Sequence, residues 1–531
     1  MSKANGAHAN GSASPSSVST SSVSPSAALE ALKSRLADIA NLEQAASVLS
    51  WDQETQMPVG AAGARAEQLT TLAKLIHQHV TDAGLSELLN ASKTPDGASG
   101  SSELSDDEAL LEVTERLISS TCKLPDTFVE TWTRAVNASH HAWIDARQND
   151  DFAAFAPHLE TMVDLSRRRA DYLGYDDHPY DALHDLYERD SSTAILKTVF
   201  AQLRDDTKVL LSHIVSSATT ASADLLHQPF TEESQETFAL DMAARFGYDL
   251  NRGRLDRAVH PFATSFSNND VRITTRYDPN FLGSALFGVL HESGHAMYEQ
   301  GIADRLQRTP LAAGASLGIH ESQSRLWENL VGRSKAFWEG AYGLLQETFP
   351  KQLADVSLDD FYQAINVVSP SLIRVEADEV TYNLHIMVRF ELELELIEGK
   401  LAVKDLPEAW NAKYQDYLGI TPPNNTRGCL QDIHWSAGSF GYFPTYSLGN
   451  LMSVQLFNAA KTAHPEIDDD IRNLRFERLL TWLRDNVHAH GSKYPPQELL
   501  ERATGERLDA APYVHYLNQK YADLYGFTPQ I

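Results

Sequence analysis

Apolar residues recur every three or four positions through nearly all of this 531-residue chain, a period that fits helix and little else. The pattern is set early by Leu29, Leu32, Leu36, Ile39 and Leu42, and it returns over 67–85, 128–146, 152–173, 194–216, 359–367 and 476–487. With 28 glycines and 22 prolines, the chain suits long helices joined by short connections. One segment has a clear period of two: 270–277, DVRITTRY, where Val271, Ile273 and Thr275 face one way and Arg272, Thr274 and Arg276 the other. The run FELELELIEG also alternates, but it continues a helical pattern without a break and is assigned to helix. No internal repeat or linker divides the chain. The expectation is a mainly α protein with one large domain over 28–531, a disordered Ser/Ala/Gly-rich tail over 1–27, and a polar surface loop over 92–107.

Composition removes several function classes. Lys plus Arg number 44 against 72 Asp plus Glu, a formal charge of −28, and such a surface repels polyanions, so a nucleic-acid partner is not expected. No stretch approaches the roughly 18 uncharged apolar residues of a membrane span. Cys122 and Cys429 are too few for a disulfide framework, which points to a reducing compartment, and Cys429 reads as a buried inert thiol. The tail has no apolar segment of the kind a secretory signal needs and few arginines. A cytoplasmic location is expected, with organellar import through the tail left open.

The strongest chemical signal is His291-Glu292-Ser293-Gly294-His295, an H-E-x-x-H pattern inside an apolar-periodic segment. Asp278 is expected to cap its helix, Pro279 to occupy the first turn, and Gly301 to end it. One turn apart, both imidazoles reach a single Zn²⁺, and Glu292 stands beside it to take a proton from the attacking water. A catalytic zinc needs a third protein ligand. Glu299 continues the same face, but three successive turns set ligands along a line. Downstream, Gly-Ile-His-Glu-Ser offers His320 and Glu321 on a second helix, and spacing alone does not separate them.

With these residues in view, the chain resembles the carboxypeptidase Taq, or thermostable carboxypeptidase, family of zinc metallocarboxypeptidases. The resemblance spans nearly everything after the tail, through WDQETQMP (51–58), RAEQL (65–69), YDALHDLYE (180–188), DVRIT, HESGHAMYEQG, HESQSRLWEN, IRVEAD and GCLQDIHW. It implies Glu321 as third metal ligand beside His291 and His295, with His320 supporting or structural. It also implies a helical fold with a deep central groove and a small sheet beside the zinc helix, a homodimer, and broad-specificity removal of single residues from peptides with a free C-terminal carboxylate. Zinc is the expected ion, with Co²⁺ or Mn²⁺ as substitutes. The departures are the tail, the 92–107 loop, and Asp190 where the family usually has Gly.

An enzyme of this kind must recognise a carboxylate, and Arg374 is the first candidate, its rival role being an ion pair with Glu376 or Asp378. Asp378 is a candidate to orient a zinc histidine. The 270–277 strand offers Asp270, Arg272 and Thr274 to pair with extended substrate or close the groove. His434, Tyr446 and Tyr442 are candidate donors for negative charge developing on the scissile carbonyl. The spacing of His434 and Tyr446 resembles that in thimet-type oligopeptidases. His488 and His490 diverge too far on a helix to share a metal and read as surface residues. Two other readings are an endo-acting oligopeptidase, which needs no carboxylate clamp, and a non-catalytic peptide-binding scaffold with a structural metal.

Overall fold

The structure is a computed structural model and describes residues 24–93, 104–219 and 221–529. Among these, 21 α-helices surround one three-stranded sheet, as the periodicity predicts. Helix starts follow local chemistry. Ser24 caps a helix whose first residue is Pro25, so helix begins three residues before the expected boundary at 28, and the rest of the tail lies outside the described residues. Ser105 and Glu108 form a reciprocal capping box that starts a helix at Asp106, ending the polar 92–107 loop early. Residues 94–103 of that loop lie outside the described residues. Asp190 takes a left-handed conformation with φ of 60°, which Asp tolerates and Gly favours.

The FELELELIEG run lies in the helix Tyr382–Glu398, which is buried on nearly every side. Its glutamates are therefore met by partners inside the protein. Glu391 accepts from Arg204 at 3.0 Å and Lys413 at 2.7 Å. The strand-like alternation reflects packing on all faces, not a sheet.

The sheet has the order β1 (Gly253–Arg257), β3 (Asp270–Thr275), β2 (Ala263–Ser267), with β1 parallel and β2 antiparallel to β3. It packs beside the H-E-x-x-H helix. Because β3 is central, its backbone is already paired on both sides, and the expected pairing of this strand with an extended peptide is excluded. The strand also stops at Thr275.

The H-E-x-x-H helix runs from Leu282 to Gly301. It does not begin at Asp278. The Asp278 carboxylate instead accepts from Asn280 N–H at 2.8 Å in the preceding turn, and Phe281 precedes the first helical residue. Gly301 is the last helical residue, and the space a side chain would need there is filled by His488. Ile302, Leu306 and Leu311 follow directly and insert into a small core with Leu32, Leu36, Leu85 and Leu110, fastening the N-terminal helices to the part of the chain that carries the H-E-x-x-H helix. Trp51 makes a second fastening, with the Arg272 guanidinium 4.4 Å from its ring centre.

Two more helices complete the frame: Leu317–Arg325, continued by a π-helical turn over Leu326–Val331, and Pro444–Ala463. The first crosses the H-E-x-x-H helix at Gly294, where an added Cβ would stand 2.6 Å from the Gln323 carbonyl oxygen and from Ser324 Cα. The second crosses the first at Gly449, where a Cβ would stand 2.5 Å from Glu321 Cβ. These obstacles are largely backbone or branch-point atoms, so they cannot swing away. Gly294→Ala is expected to cost about 1–3 kcal/mol through overpacking, read as a lowered thermal midpoint with a weakened metal site. An unchanged midpoint would show that the crossing tolerates a wider spacing.

Candidate metal centre and its surroundings

The two glycine crossings bring one carboxylate to two imidazoles. Glu321 Oε2 stands 3.6 Å from His291 Nε2 and 3.4 Å from His295 Nε2. Ligands held tetrahedrally at about 2.0–2.1 Å from zinc stand about 3.4 Å apart, so the three atoms fit a single four-coordinate ion. Among the described residues this is the group of His, Cys, Asp and Glu side chains arranged to hold a metal.

Each imidazole is aimed by a hydrogen bond at its far nitrogen. His291 Nδ1–H donates to Glu328 Oε2 at 2.9 Å. His295 Nδ1 meets His320 Nδ1 at 2.6 Å, and His320 Nε2 meets Glu299 Oε1 at 2.8 Å. One proton arrangement satisfies this relay: His295 Nδ1–H donates to His320, whose Nε2–H donates to Glu299, leaving His295 Nε2 free for an ion. His320 and Glu299, both weighed as ligands, therefore support one. Asp378 stands elsewhere, accepting from Val380, Thr381 and Ser369, so the expected aiming role belongs to Glu328.

Charge inside the site is finely divided. Burial alone would raise Glu321 and Glu328, yet Arg325 holds Glu321 well below the usual carboxylate range, and Arg325, His291 and Arg333 hold Glu328 at about 2. Arg325 donates to Glu321 Oε1 at 2.7 Å, leaving Oε2 toward the histidines. Burial keeps His295 neutral, at about 3. Glu292 has no such cation against it, and burial pushes its carboxyl up to about 7, opposed by His291 and reinforced by Glu321 and Glu328. A carboxylate of that basicity suits proton transfer near neutral pH. Arg325 and Glu328 were missed in the sequence, though Glu321, Arg325 and Glu328 share one helix face at i, i+4 and i+7.

Tyr382 joins this centre to a second cluster. The Arg325 guanidinium lies 4.4 Å from the Tyr382 ring centre, and the Tyr382 hydroxyl accepts from Arg374 Nη1 at 3.1 Å. Arg374 is buried and pairs with Asp432 at 2.9 Å, not with Glu376 or Asp378. Arg389, also buried, pairs with the other oxygen of Asp432 at 2.6 Å. The Arg374 guanidinium lies 4.8 Å from the Tyr446 ring centre. Tyr446 hydroxyl stands 3.4 Å from His434 Nε2, and the Tyr442 and Tyr446 rings are 5.4 Å apart. Burial raises both tyrosines, so they stay protonated as donors, and it lowers His434 to about 4, so that ring is neutral.

The remaining candidates fall outside this constellation. Arg272 makes a two-pronged pair with Asp270 at 2.8 and 2.9 Å. Thr274 is fully buried, and its hydroxyl accepts from Phe262 N–H at 2.9 Å. His488 is fully buried, not on the surface, with Nε2 on Gln323 Oε1 at 2.8 Å. Its neighbour His490 sits on the same 3₁₀ turn rather than an α-helix. Cys429 is buried, and burial raises its thiol to about 12, as befits an inert group.

A family model described as carboxypeptidase Taq (M32) metallopeptidase matches residues 31–521. The chain is 42% identical to thermostable carboxypeptidase 1 of Thermus thermophilus, over 94% of this chain and 99% of that protein. It is 39% identical to carboxypeptidase 1 of Bacillus subtilis, over 92% and 97% respectively. Among solved structures, the M32 carboxypeptidase of Deinococcus radiodurans is similar with a TM-score of 0.90 and 42% identity, covering 94% of this chain and 99% of that one. Metallocarboxypeptidase 1 of Trypanosoma cruzi is similar with a TM-score of 0.86 and 32% identity, covering 93% and 99%.

The relay predicts that His320→Ala lowers metal affinity by about 10–100-fold, measured by competition with a chromophoric chelator. Glu321→Ala is expected to lose more. Unchanged affinity in His320→Ala would show that His295 needs no aiming partner.

Proposed function

The chain belongs to the carboxypeptidase Taq (M32) family of metallopeptidases, and we propose that the His291, His295 and Glu321 site hydrolyses the last peptide bond of a substrate whose free carboxylate is received at Arg374. The enzyme is a metal-dependent carboxypeptidase. One observation carries the role of Arg374: two buried guanidinium groups, Arg374 and Arg389, share the single carboxylate of Asp432. That cluster keeps one positive charge in excess, and a buried excess charge calls for a counterion. A substrate carboxylate supplies it, and the connection through Tyr382 and Arg325 keeps the clamp close to the metal ligands.

A metal ion held by His291, His295 and Glu321 would supply Lewis acidity at the scissile carbonyl and lower the pKa of the attacking water. Glu292 takes the proton from that water and delivers it to the departing amine as the C–N bond breaks. Negative charge that develops on the carbonyl oxygen is met by the hydroxyls of Tyr446 and Tyr442, with neutral His434 behind Tyr446. Three nitrogen and oxygen ligands at tetrahedral spacing support zinc. Broad specificity and a homodimer rest on the family resemblance, and a cytoplasmic location on the two cysteines and the lack of an apolar signal segment. Asp270 and Arg272, through their two-pronged pair, are proposed only to shape the substrate end, and buried Thr274 takes no part.

Glu292→Gln is expected to bind metal as the wild type does while kcat falls by several orders of magnitude; retained activity would sink this mechanism. Arg374→Ala removes a charge-assisted contact worth about 1.5–3 kcal/mol, so kcat/KM is expected to fall at least about tenfold. Amidating the substrate C-terminus is expected to impose a similar loss on the wild type and little further loss on the mutant. Losses that simply add would show that Arg374 does not hold the carboxylate.

A further inference from the structure

Glu393 is a fully buried carboxylate with no cation in hydrogen-bond contact. It accepts instead from three neutral donors far apart in the chain: Tyr180 hydroxyl at 2.6 Å, Trp435 Nε1 at 2.7 Å and Gly441 N–H at 3.1 Å. Burial raises its carboxyl to about 7, so the arrangement is held against a real desolvation cost. Two of the three donors border the candidate catalytic groups. Trp435 follows His434, and Gly441 precedes Tyr442.

The carbonyl of Gly441 is held as well. His184, also fully buried, donates from Nδ1 to it at 2.8 Å, while its Nε2 has no partner. Burial lowers His184 to about 4, which keeps the ring neutral. Gly441 itself has φ of 90°, and a Cβ there would stand 2.7 Å from the backbone nitrogen of His184. Gly441 is thus clamped at N–H by one buried ionisable group and at C=O by another, in a conformation that only Gly takes readily.

We propose that Glu393 and His184 are positioning residues for the hydrolysis: together they lock Gly441, and so fix where the Tyr442 hydroxyl and, through Trp435, the His434 imidazole stand. The proposal rests on the reading that Tyr442 and His434 assist the reaction. A Gln side chain offers one acceptor oxygen in place of two, so Glu393→Gln leaves at least one of the three donors facing an amide N–H₂. His184→Asn keeps a nitrogen donor near the Nδ1 position, whereas His184→Leu removes it.

The test compares these variants on a free-carboxylate peptide, alone and in Tyr442→Phe and His434→Ala backgrounds. Glu393→Gln and His184→Leu are expected to lower kcat about tenfold or more, with KM within about twofold and metal content unchanged. His184→Asn is expected to recover most of the loss. In the Tyr442→Phe background His184→Leu, which acts through Gly441 alone, is expected to cost no more than about twofold, because the misplaced hydroxyl is already gone, and Glu393→Gln, which also acts through Trp435, is expected to keep only part of its loss. Should the buried Glu393→Gln change reduce the folded yield, the Asn and Leu pair at His184 carries the test independently. Wild-type kcat in His184→Leu and Glu393→Gln, or losses that add in full to impaired Tyr442→Phe and His434→Ala parents, would overturn the lock. Wild-type rates in both parents would instead overturn the roles given to Tyr442 and His434, leaving the lock nothing to position.

Discussion

A single carboxylate divided between two partners organises this protein. Glu321 gives one oxygen to Arg325 and turns the other toward two imidazoles, and burial makes both interactions strong. The first lies within one helix, but the second could not exist if the helices kept ordinary spacing. Gly294 and Gly449 let backbone meet backbone on both sides of Glu321, so the ligand is held by the packing of three helices and not by a loop. As the proposed metal ligand, a carboxylate set by rigid elements keeps its geometry without relying on the ion, which is what a site with an open position for substrate requires.

The electrostatics follow from that arrangement. Around the histidines, Glu321 and Glu328 are balanced by Arg325 and Arg333, which leaves Glu292 without a cation in contact. Its raised basicity is a consequence of being left out of the pairing. One aromatic ring away the balance is reversed, since Arg374 and Arg389 have only Asp432 between them. On the proposed reading, a peptide that ends in a carboxylate supplies what the second cluster lacks and sets its last carbonyl toward the first. Tyr382, touching both arginines that face it, keeps the two clusters in register.

Much of this was legible in residue order, and the exceptions have physical causes. Helical periodicity and the H-E-x-x-H spacing report local geometry, so the helices and the pairing of His291 with His295 could be read directly. Spacing could not choose between His320 and Glu321, because that choice depends on the angle at which two helices cross. The resemblance pointed to Glu321, and the crossing at Gly294 supplies the reason. Expectations failed where a residue's role is set from outside its own element. Asp278 looked like a helix cap but serves the turn before it, the 270–277 strand looked available but sits between two others, and His488 looked exposed but fills the space beside Gly301. Glu393 carried no local signal, since its three donors lie 42, 48 and 213 residues away.

The central claim is that the metal centre and the cationic cluster act on one substrate end. It is tested most directly by mass spectrometry of an unmodified peptide digested by the metal-loaded enzyme and sampled over time. The account predicts a ladder in which each product is one residue shorter at the C-terminus, with free amino acids as the other product. Early fragments that retain the original C-terminus would contradict it, because they arise only when a bond is cut without the terminal carboxylate in its clamp.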